Sequence, residues 1–253
     1  MKIVAIIPSH LASVRFPGKI LYPFFGMPMI EHVRRRALLC KELDDVYVAT
    51  CDKEIADIVT GYGGKVIMTS DEHRTGTDRV AEAVFSIDCT HVIVLQGDEP
   101  LLLPEDLSAF ILGIKTAPQA SAWNATGPIE KAEDFDIKSI VKCVVSPSGR
   151  ILLGFRRTPC FSTFETQKIF VRKILGLIAF QKDFILQIAK TPPTPYEQAE
   201  SIEQSRILET GNYLQSIPVD RSYPSVNEPH EADLVKEFLE NDARQAEILK
   251  KII

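Results

Sequence analysis

Residues 3–8 read IVAIIP, and residues 9–19 read SHLASVRFPGK. A run of branched apolar residues that ends at a proline is typical of a parallel strand buried on both faces. Ligands of open α/β sheets bind beyond the carboxyl ends of such strands, so the loop that follows predicts a binding site. Arg15 and Lys19 in this loop predict an anionic ligand. The loop lacks the glycine spacing of a P-loop or a dinucleotide fingerprint, so phosphate contacts would come from side-chain charge and a few backbone N–H groups.

The rest of the pattern predicts an α/β fold with a doubly wound, mostly parallel sheet. In the first half we predict strands at 3–8, 45–50, 65–68 and 91–95, and helices at 29–40, 53–62, 76–86 and 105–115. In the second half we predict a hairpin of strands at 139–146 and 149–156, strands at 174–181 and 213–219, and helices at 184–189, 201–210 and 233–252. Residues 160–172 are polar and irregular and predict a loop over the site.

Composition restricts the class of protein. The 253 residues are 45% apolar and 25% charged, which is ordinary for a globular protein with a sizeable core. The net charge of −5 argues against a general nucleic-acid binder. No apolar run is long enough to span a membrane, and we expect no signal peptide. The five cysteines are scattered without metal or disulfide spacing, so we expect reduced thiols in a cytosolic protein.

Two motifs after predicted strands carry candidate chemistry. Residues 96–100 (QGDEP) follow a strand directly, and Asp98 facing a cationic loop suits Mg²⁺, which would bridge it to phosphate oxygens. The alternative is a plain turn with solvated acids. Arg74 precedes a predicted helix, whose free N–H groups favour an anion. Thr75 or Thr77 could instead serve only as the helix cap, and we expect this role for Thr77.

Other polar residues favour ordinary surface roles. Lys142, Arg156 and Arg157 lie on the predicted hairpin, where an exposed basic pair is usually solvated. Most of Glu197, Glu200, Glu203 and Gln204 should face solvent. The histidines lack ligand spacing, and no nucleophile–base arrangement can be argued from their order.

Several blocks together resemble one family. Residues 7–19, 68–70 with 75–79, and 96–100 (QGDEP), followed by 191–195 (TPPTP) and 200–204 (ESIEQ), match 3-deoxy-manno-octulosonate cytidylyltransferases, or CMP-Kdo synthetases, in order and spacing. The resemblance covers nearly the whole chain. It implies a nucleotide-diphospho-sugar transferase-like fold with a smaller mixed lobe for sugar binding and dimerisation. One domain, 1–253, would then comprise a nucleotide-binding part (1–130), a sugar-acid and dimerisation part (131–225) and a C-terminal return and helix (226–253).

The resemblance also implies an activity and a set of roles. A sugar-acid hydroxyl would attack the α-phosphate of CTP, giving a CMP-sugar and pyrophosphate. The enzyme would be a cytoplasmic homodimer that uses Mg²⁺ and supplies lipopolysaccharide synthesis, with no nucleic-acid partner. Arg15, Lys19 and Asp98 would be catalytic. The implied nucleotide-binding residues are Pro8, Ser9, His10, Arg15, Lys19, Arg74, Thr75 and Gln96. The implied sugar-binding residues are Arg157, Ile174, Ile178, Glu203 and Gln204, and the implied metal ligands are Asp98 and Asn227.

Four positions depart from the family pattern. His10 stands where the family has Arg, Asn227 where it has a metal-binding Asp, and Ile174 and Ile178 where it has His and Tyr. One explanation is an enzyme for a different ulosonic acid with fewer hydroxyls or with amino or acylamino groups. A second is a degenerate, non-catalytic paralogue that binds nucleotide. A transferase for another nucleotide such as UTP is a third alternative.

Overall fold

The computed structural model describes residues 1–159 and 161–253. The strands are β1 (Ile3–Ser9), β2 (Pro23–Phe24), β3 (Met27–Pro28), β4 (Asp45–Thr50), β5 (Lys65–Met68), β6 (His91–Leu95), β7 (Ala122–Gly127), β8 (Lys142–Val145), β9 (Ile151–Phe155), β10 (Val171–Gln181) and β11 (Leu214–Pro218). The α-helices are α1 (Met29–Leu38), α2 (Lys53–Gly61), α3 (Gly76–Phe85), α4 (Pro104–Thr116), α5 (Phe164–Gln167), α6 (Lys182–Ile188), α7 (Pro195–Glu200), α8 (Gln204–Glu209), α9 (Glu231–Asn241) and α10 (Ala243–Ile252). The chain folds into two compact units.

The first unit comprises Met1–Ala109 and Tyr223–Ile253. Its long strands are all parallel and run in the order β6-β1-β4-β5. The chain therefore winds from β1 outward through β4 and β5 and returns to the other side of β1 as β6. That reversal places the topological switch point between β1 and β6, where ligands of such sheets bind at the carboxyl ends.

The β-α alternation of the first half is confirmed. β4, β5 and β6 have the predicted bounds, and β1 is one residue longer than predicted. In β1 every residue but Pro8 is buried, as expected for a strand covered on both faces. In this unit Met27, Leu103, Ile248 and Ile252 form a further apolar cluster.

The second unit, Phe110–Ser222, holds a mixed sheet. β10 pairs antiparallel with β7 and β8, β8 and β9 form the predicted hairpin, and β11 runs parallel to β7. The pairing of β10 with β7 shifts register between Ile174 and Ile178. Thus the predicted α/β class with a mostly parallel sheet and a smaller mixed part is confirmed.

Three features of the second half and the C-terminus differ from the prediction. β7 was not predicted, although all of its residues are buried. The single helix predicted at 233–252 is wrong, because the chain breaks at Asp242 into α9 and α10. The Asp242 carboxylate accepts hydrogen bonds from the backbone N–H groups of Arg244 and Gln245 and so caps α10. The irregular loop predicted at 160–172 contains α5 and the start of β10, and Cys160 lies outside the described residues.

Every helix within the described ranges is too short or too polar to cross a lipid bilayer.

Candidate functional site

An ion pair joins the two loops at the switch point. Lys19 Nζ donates to Asp98 Oδ2 at 2.6 Å and to the Val226 carbonyl at 2.8 Å. The Lys19 and Asp98 side chains keep 15% and 24% of their exposure, so the pair is reachable from solvent. The loops after β1 and β6, predicted from sequence to share one edge of the sheet, are therefore brought together.

Side chains pack closely around the turn that carries Asp98. A Cβ on Gly97 would lie 2.5 Å from Ile20 Cδ1 and 3.4 Å from Ser9 Oγ, so any side chain there requires Ile20 to shift. A Cβ on Gly76, the first residue of α3, would lie 3.2 Å from Pro8 Cγ and 3.7 Å from Gln96 Nε2. The start of α3, the end of β1 and the end of β6 are thus within contact distance.

The N-terminus of α3 presents Arg74 beside this edge. Thr75 is the helix cap, because its hydroxyl accepts a hydrogen bond from the Asp78 backbone N–H at 3.1 Å. The prediction that Thr77 is the cap is wrong. Arg74 is exposed, and its side chain has no hydrogen bond or ion pair among the described residues. Its guanidinium is therefore available to an anion.

Arg15 is held by an amide instead of a carboxylate. Its Nη2 donates to Asn227 Oδ1 at 3.1 Å. The backbone N–H of Asn227 donates to Glu231 Oε2 at 2.5 Å, which fixes the turn before α9. Since the neighbouring Val226 N–H donates to the Asp98 carbonyl at 2.9 Å, Asn227 and Asp98 lie on adjacent backbones. Glu231 was missed from sequence, where it reads only as an acidic residue at a helix start.

His10 adds little positive charge to the site. Burial, followed by the nearby cations Arg79 and Lys19, lowers the pKa of His10 below its ordinary value, and Asp52 only partly opposes this. The imidazole is therefore neutral at pH 7. Lys19 is balanced by Asp98, and Asn227 leaves Arg15 its full charge. Arg15 and Arg74 form no ion pair with a carboxylate among the described residues, so both charges are available to an anion.

The oxygen donors suit a hard cation bound together with phosphate. Within the described ranges, no group of three or more His, Cys, Asp or Glu side chains is placed to hold a metal ion. Mg²⁺, however, is commonly held by one or two carboxylates together with substrate phosphates and water. Asp98 offers one partly exposed carboxylate, and Asn227 on the adjacent backbone offers an amide oxygen. This donor set is compatible with Mg²⁺.

In the second unit, a hydrogen-bond chain gathers some of the predicted sugar-binding residues. Gln204 Nε2 donates to Asn124 Oδ1 at 3.1 Å, and Asn124 Nδ2 donates to the Leu175 carbonyl at 3.0 Å. Ile178 stands opposite Asn124 in the β10–β7 register, so the two side chains share one face of the sheet. Asn124, fully buried, was missed because its strand was missed.

The remaining predicted sugar-binding residues surround the same region of the second unit. A Cβ on Gly154 would meet Ile202 at 3.4 Å and Ile174 at 3.8 Å, so these two isoleucines form one apolar wall. Glu203 is half-buried directly before α8. Arg157 is exposed, and its side chain has no polar partner in the described part of the chain.

Three residues predicted to be solvated are structural instead. Lys142 is fully buried, and burial lowers the pKa of its ammonium to about 8. Arg156 donates to several backbone carbonyls. Glu197 is buried and forms a two-bond ion pair with Arg206, at 2.6 Å from Nη2 to Oε1 and 2.8 Å from Nε to Oε2. Sequence reasoning failed here because each partner is a backbone carbonyl or a residue without helical spacing.

The parallel sheet and the cationic loops at its switch point define an α/β protein with a candidate anion-binding site. Comparison with known proteins identifies the family within this class. The cytidylyltransferase family profile matches residues 4–217. A 3-deoxy-manno-octulosonate cytidylyltransferase of Geobacter metallireducens is 36% identical over 250 residues, which is 94% of this chain and 98% of that protein. One from Acaryochloris marina is 39% identical over 238 residues, which is 93% of this chain and 96% of that protein.

Solved structures agree. A CMP:2-keto-3-deoxy-manno-octonic acid synthetase complexed with CTP matches with a TM-score of 0.88 and 33% identity, covering 94% of this chain and 98% of that one. A 4-diphosphocytidyl-2C-methyl-D-erythritol synthase from Anaerococcus prevotii, 14% identical, shares the fold with a TM-score of 0.64 over 95% of this chain and 99% of that one. The chain belongs to the cytidylyltransferase family and is a nucleotidyltransferase. The family prediction is confirmed.

Proposed function

We propose that this enzyme transfers the cytidylyl group of CTP to a hydroxyl of a 3-deoxy-ulosonic acid, either 3-deoxy-manno-octulosonate or a close relative. Its curated relatives are named for this activity, and the chain aligns with nearly their whole length. A similar solved structure is complexed with CTP. The observation that carries the proposal is the Lys19–Asp98 pair at the switch point, with Arg15 and Arg74 exposed beside it.

The reaction needs positioning and charge more than covalent chemistry. The acceptor oxygen bonds to the α-phosphorus of CTP, and its proton passes to solvent. The bond from that phosphorus to the bridging oxygen breaks, and pyrophosphate leaves with the electron pair. Arg15 and Lys19 stabilise negative charge on the phosphates, because cations placed before the reaction need no reorganisation during it. Gln96, whose side-chain amide has no hydrogen bond within the described residues, is free to bind the base.

Mg²⁺ is part of this proposal. Asp98 would hold it, with the Asn227 amide oxygen as a neutral second ligand, and its charge would offset that of the phosphate oxygens. Release of Lys19 from Asp98 would then turn the ammonium toward the triphosphate. Removal of divalent cations with EDTA should abolish turnover, and added Mg²⁺ should restore it.

The acceptor would bind with its carboxylate on Arg157, since an exposed guanidinium that has no partner among the described residues suits a carboxylate. Ile178 beside the Asn124–Gln204 pair favours a second candidate, an ulosonic acid with fewer hydroxyls or with acylamino groups. A cytoplasmic homodimer that supplies lipopolysaccharide synthesis completes the proposal, supported by the relatives' shared activity.

The test is pyrophosphate release from CTP and Mg²⁺ with a panel of ulosonic acids: 3-deoxy-manno-octulosonate, its amino analogue and nonulosonic acids. Lys19→Met and Asp98→Asn should each lower kcat/KM by about a hundredfold or more. Lys53→Met is the matched control, because Lys53 is an exposed cation on α2 whose ion-pair partner among the described residues is Asp57.

Pyrophosphate release with 3-deoxy-manno-octulosonate would show that Ile174 and Ile178 are compatible with the activity of the relatives. Pyrophosphate release only with another acid would link these two isoleucines to altered specificity. No release with any acid, while CTP still raises the melting temperature, would refute the transferase activity and leave a nucleotide-binding protein. If UTP, and not CTP, raises it, the nucleotide assignment is wrong.

A further inference from the structure

Arg156 lies directly after β9, and each of its three guanidinium nitrogens donates to a backbone carbonyl of another segment. Nε donates to the Glu200 carbonyl at 2.6 Å, Nη2 to the Ser201 carbonyl at 2.9 Å, and Nη1 to the Lys138 carbonyl at 2.8 Å. Its own backbone N–H donates to Glu200 Oε2 at 3.2 Å. The end of β9 is therefore tied to the turn between α7 and α8.

Lys142 fixes the main chain at the same point. Its Nζ donates to the Arg156 carbonyl at 2.5 Å and to the Ile137 carbonyl at 2.9 Å. Because Lys142 is fully buried, loss of these carbonyl partners would leave its ammonium without compensation. The carbonyl of the peptide that leads into Arg157 is thus bonded by Lys142, while the Arg156 side chain ties the same residue to the segments of Lys138 and of residues 200–201.

The turn that Arg156 holds leads directly into α8. Ser201 ends α7 in the left-handed region, at φ +53°, a conformation that a serine keeps only when its surroundings enforce it. Glu203 and Gln204 follow within three residues, and Gln204 continues to Asn124. Each segment that contributes a predicted sugar-binding polar residue is therefore next to a bond from Arg156.

We propose that Arg156 is a positioning residue for the acceptor side of the site, which sets Arg157 and the Glu203–Gln204 pair at a fixed separation. This inference rests on the proposed function. A guanidinium fork is needed because its donors point in fixed directions and reach the Glu200, Ser201 and Lys138 carbonyls at once. A lysine at this position would reach one of them.

The first test compares Arg156→Lys and Arg156→Gln with the wild type. We expect the KM for the acceptor acid to rise about tenfold or more, the effect of losing one charge-assisted hydrogen bond, with the larger rise in Arg156→Gln. The KM for CTP and the CTP-induced rise in melting temperature should change less than about twofold. Arg150→Lys is the matched control, because Arg150 lies in the same unit and its guanidinium stacks on Tyr213.

The second test does not depend on turnover. Amide hydrogen exchange of the Arg156→Lys variant should speed up in peptides covering 156–158 and 200–205, and stay unchanged in β11. This result would support the inference even if no acid is a substrate, in which case the proposed function alone fails. Unchanged exchange in those peptides, or equal rises in both KM values, would overturn it. If Arg156→Gln does not fold, Arg156→Lys decides.

Discussion

Breaking the buried Glu197–Arg206 ion pair should unfold the second unit far more easily. Both side chains keep less than 8% of their exposure, and the pair makes two short hydrogen bonds. Removal of one partner leaves an uncompensated buried charge, which costs about 3–5 kcal/mol. We therefore expect Arg206→Met and Glu197→Gln each to lower the free energy of unfolding by this amount.

Trp123 makes the measurement specific. It is the chain's single tryptophan and lies fully buried in β7, in the same unit as the pair. Urea titration followed by its fluorescence should show a midpoint lowered by about 1–1.7 M, if the m-value is about 3 kcal/mol/M. The double variant Glu197→Leu with Arg206→Met should recover most of this loss, because an apolar pair of similar volume needs no charge compensation.

An unpaired buried charge is contradicted if Arg206→Met costs less than about 1 kcal/mol, the range of a solvated pair. A double variant no more stable than the weaker single variant would also contradict it, since the loss would then come from the capping box of Thr194 and Glu197 instead of from an unpaired charge.

Three further predictions concern the first unit and the hairpin. Burial lowers the pKa of His32 to about 4, so the stability that its neutral form gives should be lost as pH falls from about 6.5 to 4. The unfolding free energy of the wild type should drop by about 3 kcal/mol more than that of His32→Gln over this range, and equal pH slopes would contradict this. Gly97→Ala should cost about 1–3 kcal/mol in urea unfolding and weaken CTP binding, and adding Ile20→Val, which removes the clashing Cδ1, should restore both; no rescue would refute the clash. Burial lowers the pKa of Lys142 to about 8, so between about pH 8 and 10 the folded chain has lost a proton that the unfolded chain still binds. The unfolding free energy of the wild type relative to Lys142→Met, measured with urea, should therefore rise with pH in this window, and a fall would contradict the prediction.

The fold was predictable wherever apolar residues alone define a strand. β5 and β6 were predicted with the correct bounds because branched apolar residues dominate them, and β4, with the sequence DVYVAT, because β-branched and aromatic residues do. β7, with the sequence AWNATG, was not, since its buried Asn124 and Thr126 read as loop residues. Their polar atoms are satisfied by Gln204 and by Ser216 and Arg172, at sequence separations of 46 or more. Partners at such separations leave no local signal.

The candidate site was predictable to the level of its motifs. The loop after β1 and the QGDEP turn were placed on one edge of the sheet by parallel topology, and the Lys19–Asp98 contact agrees with this. The hydrogen bond between Arg15 and Asn227 was not predictable, because the two residues lie 212 positions apart in the sequence. The metal-ligand and sugar-binding roles stay predictions.

Neighbouring residues of the same type show where the sequence signal ends. Arg156 and Arg157 are adjacent and chemically identical. The Arg156 guanidinium donates to three backbone carbonyls, whereas the Arg157 guanidinium donates to no described residue. The same contrast separates Arg79, which donates to Thr69 and Ser70, from Arg74, whose guanidinium has no partner among the described residues. A guanidinium whose donors are already satisfied adds rigidity, whereas one with free donors can bind an anion. Which donors are satisfied depends on the tertiary structure. A sequence motif therefore predicts the location of a binding site, but not which of its cations binds the substrate.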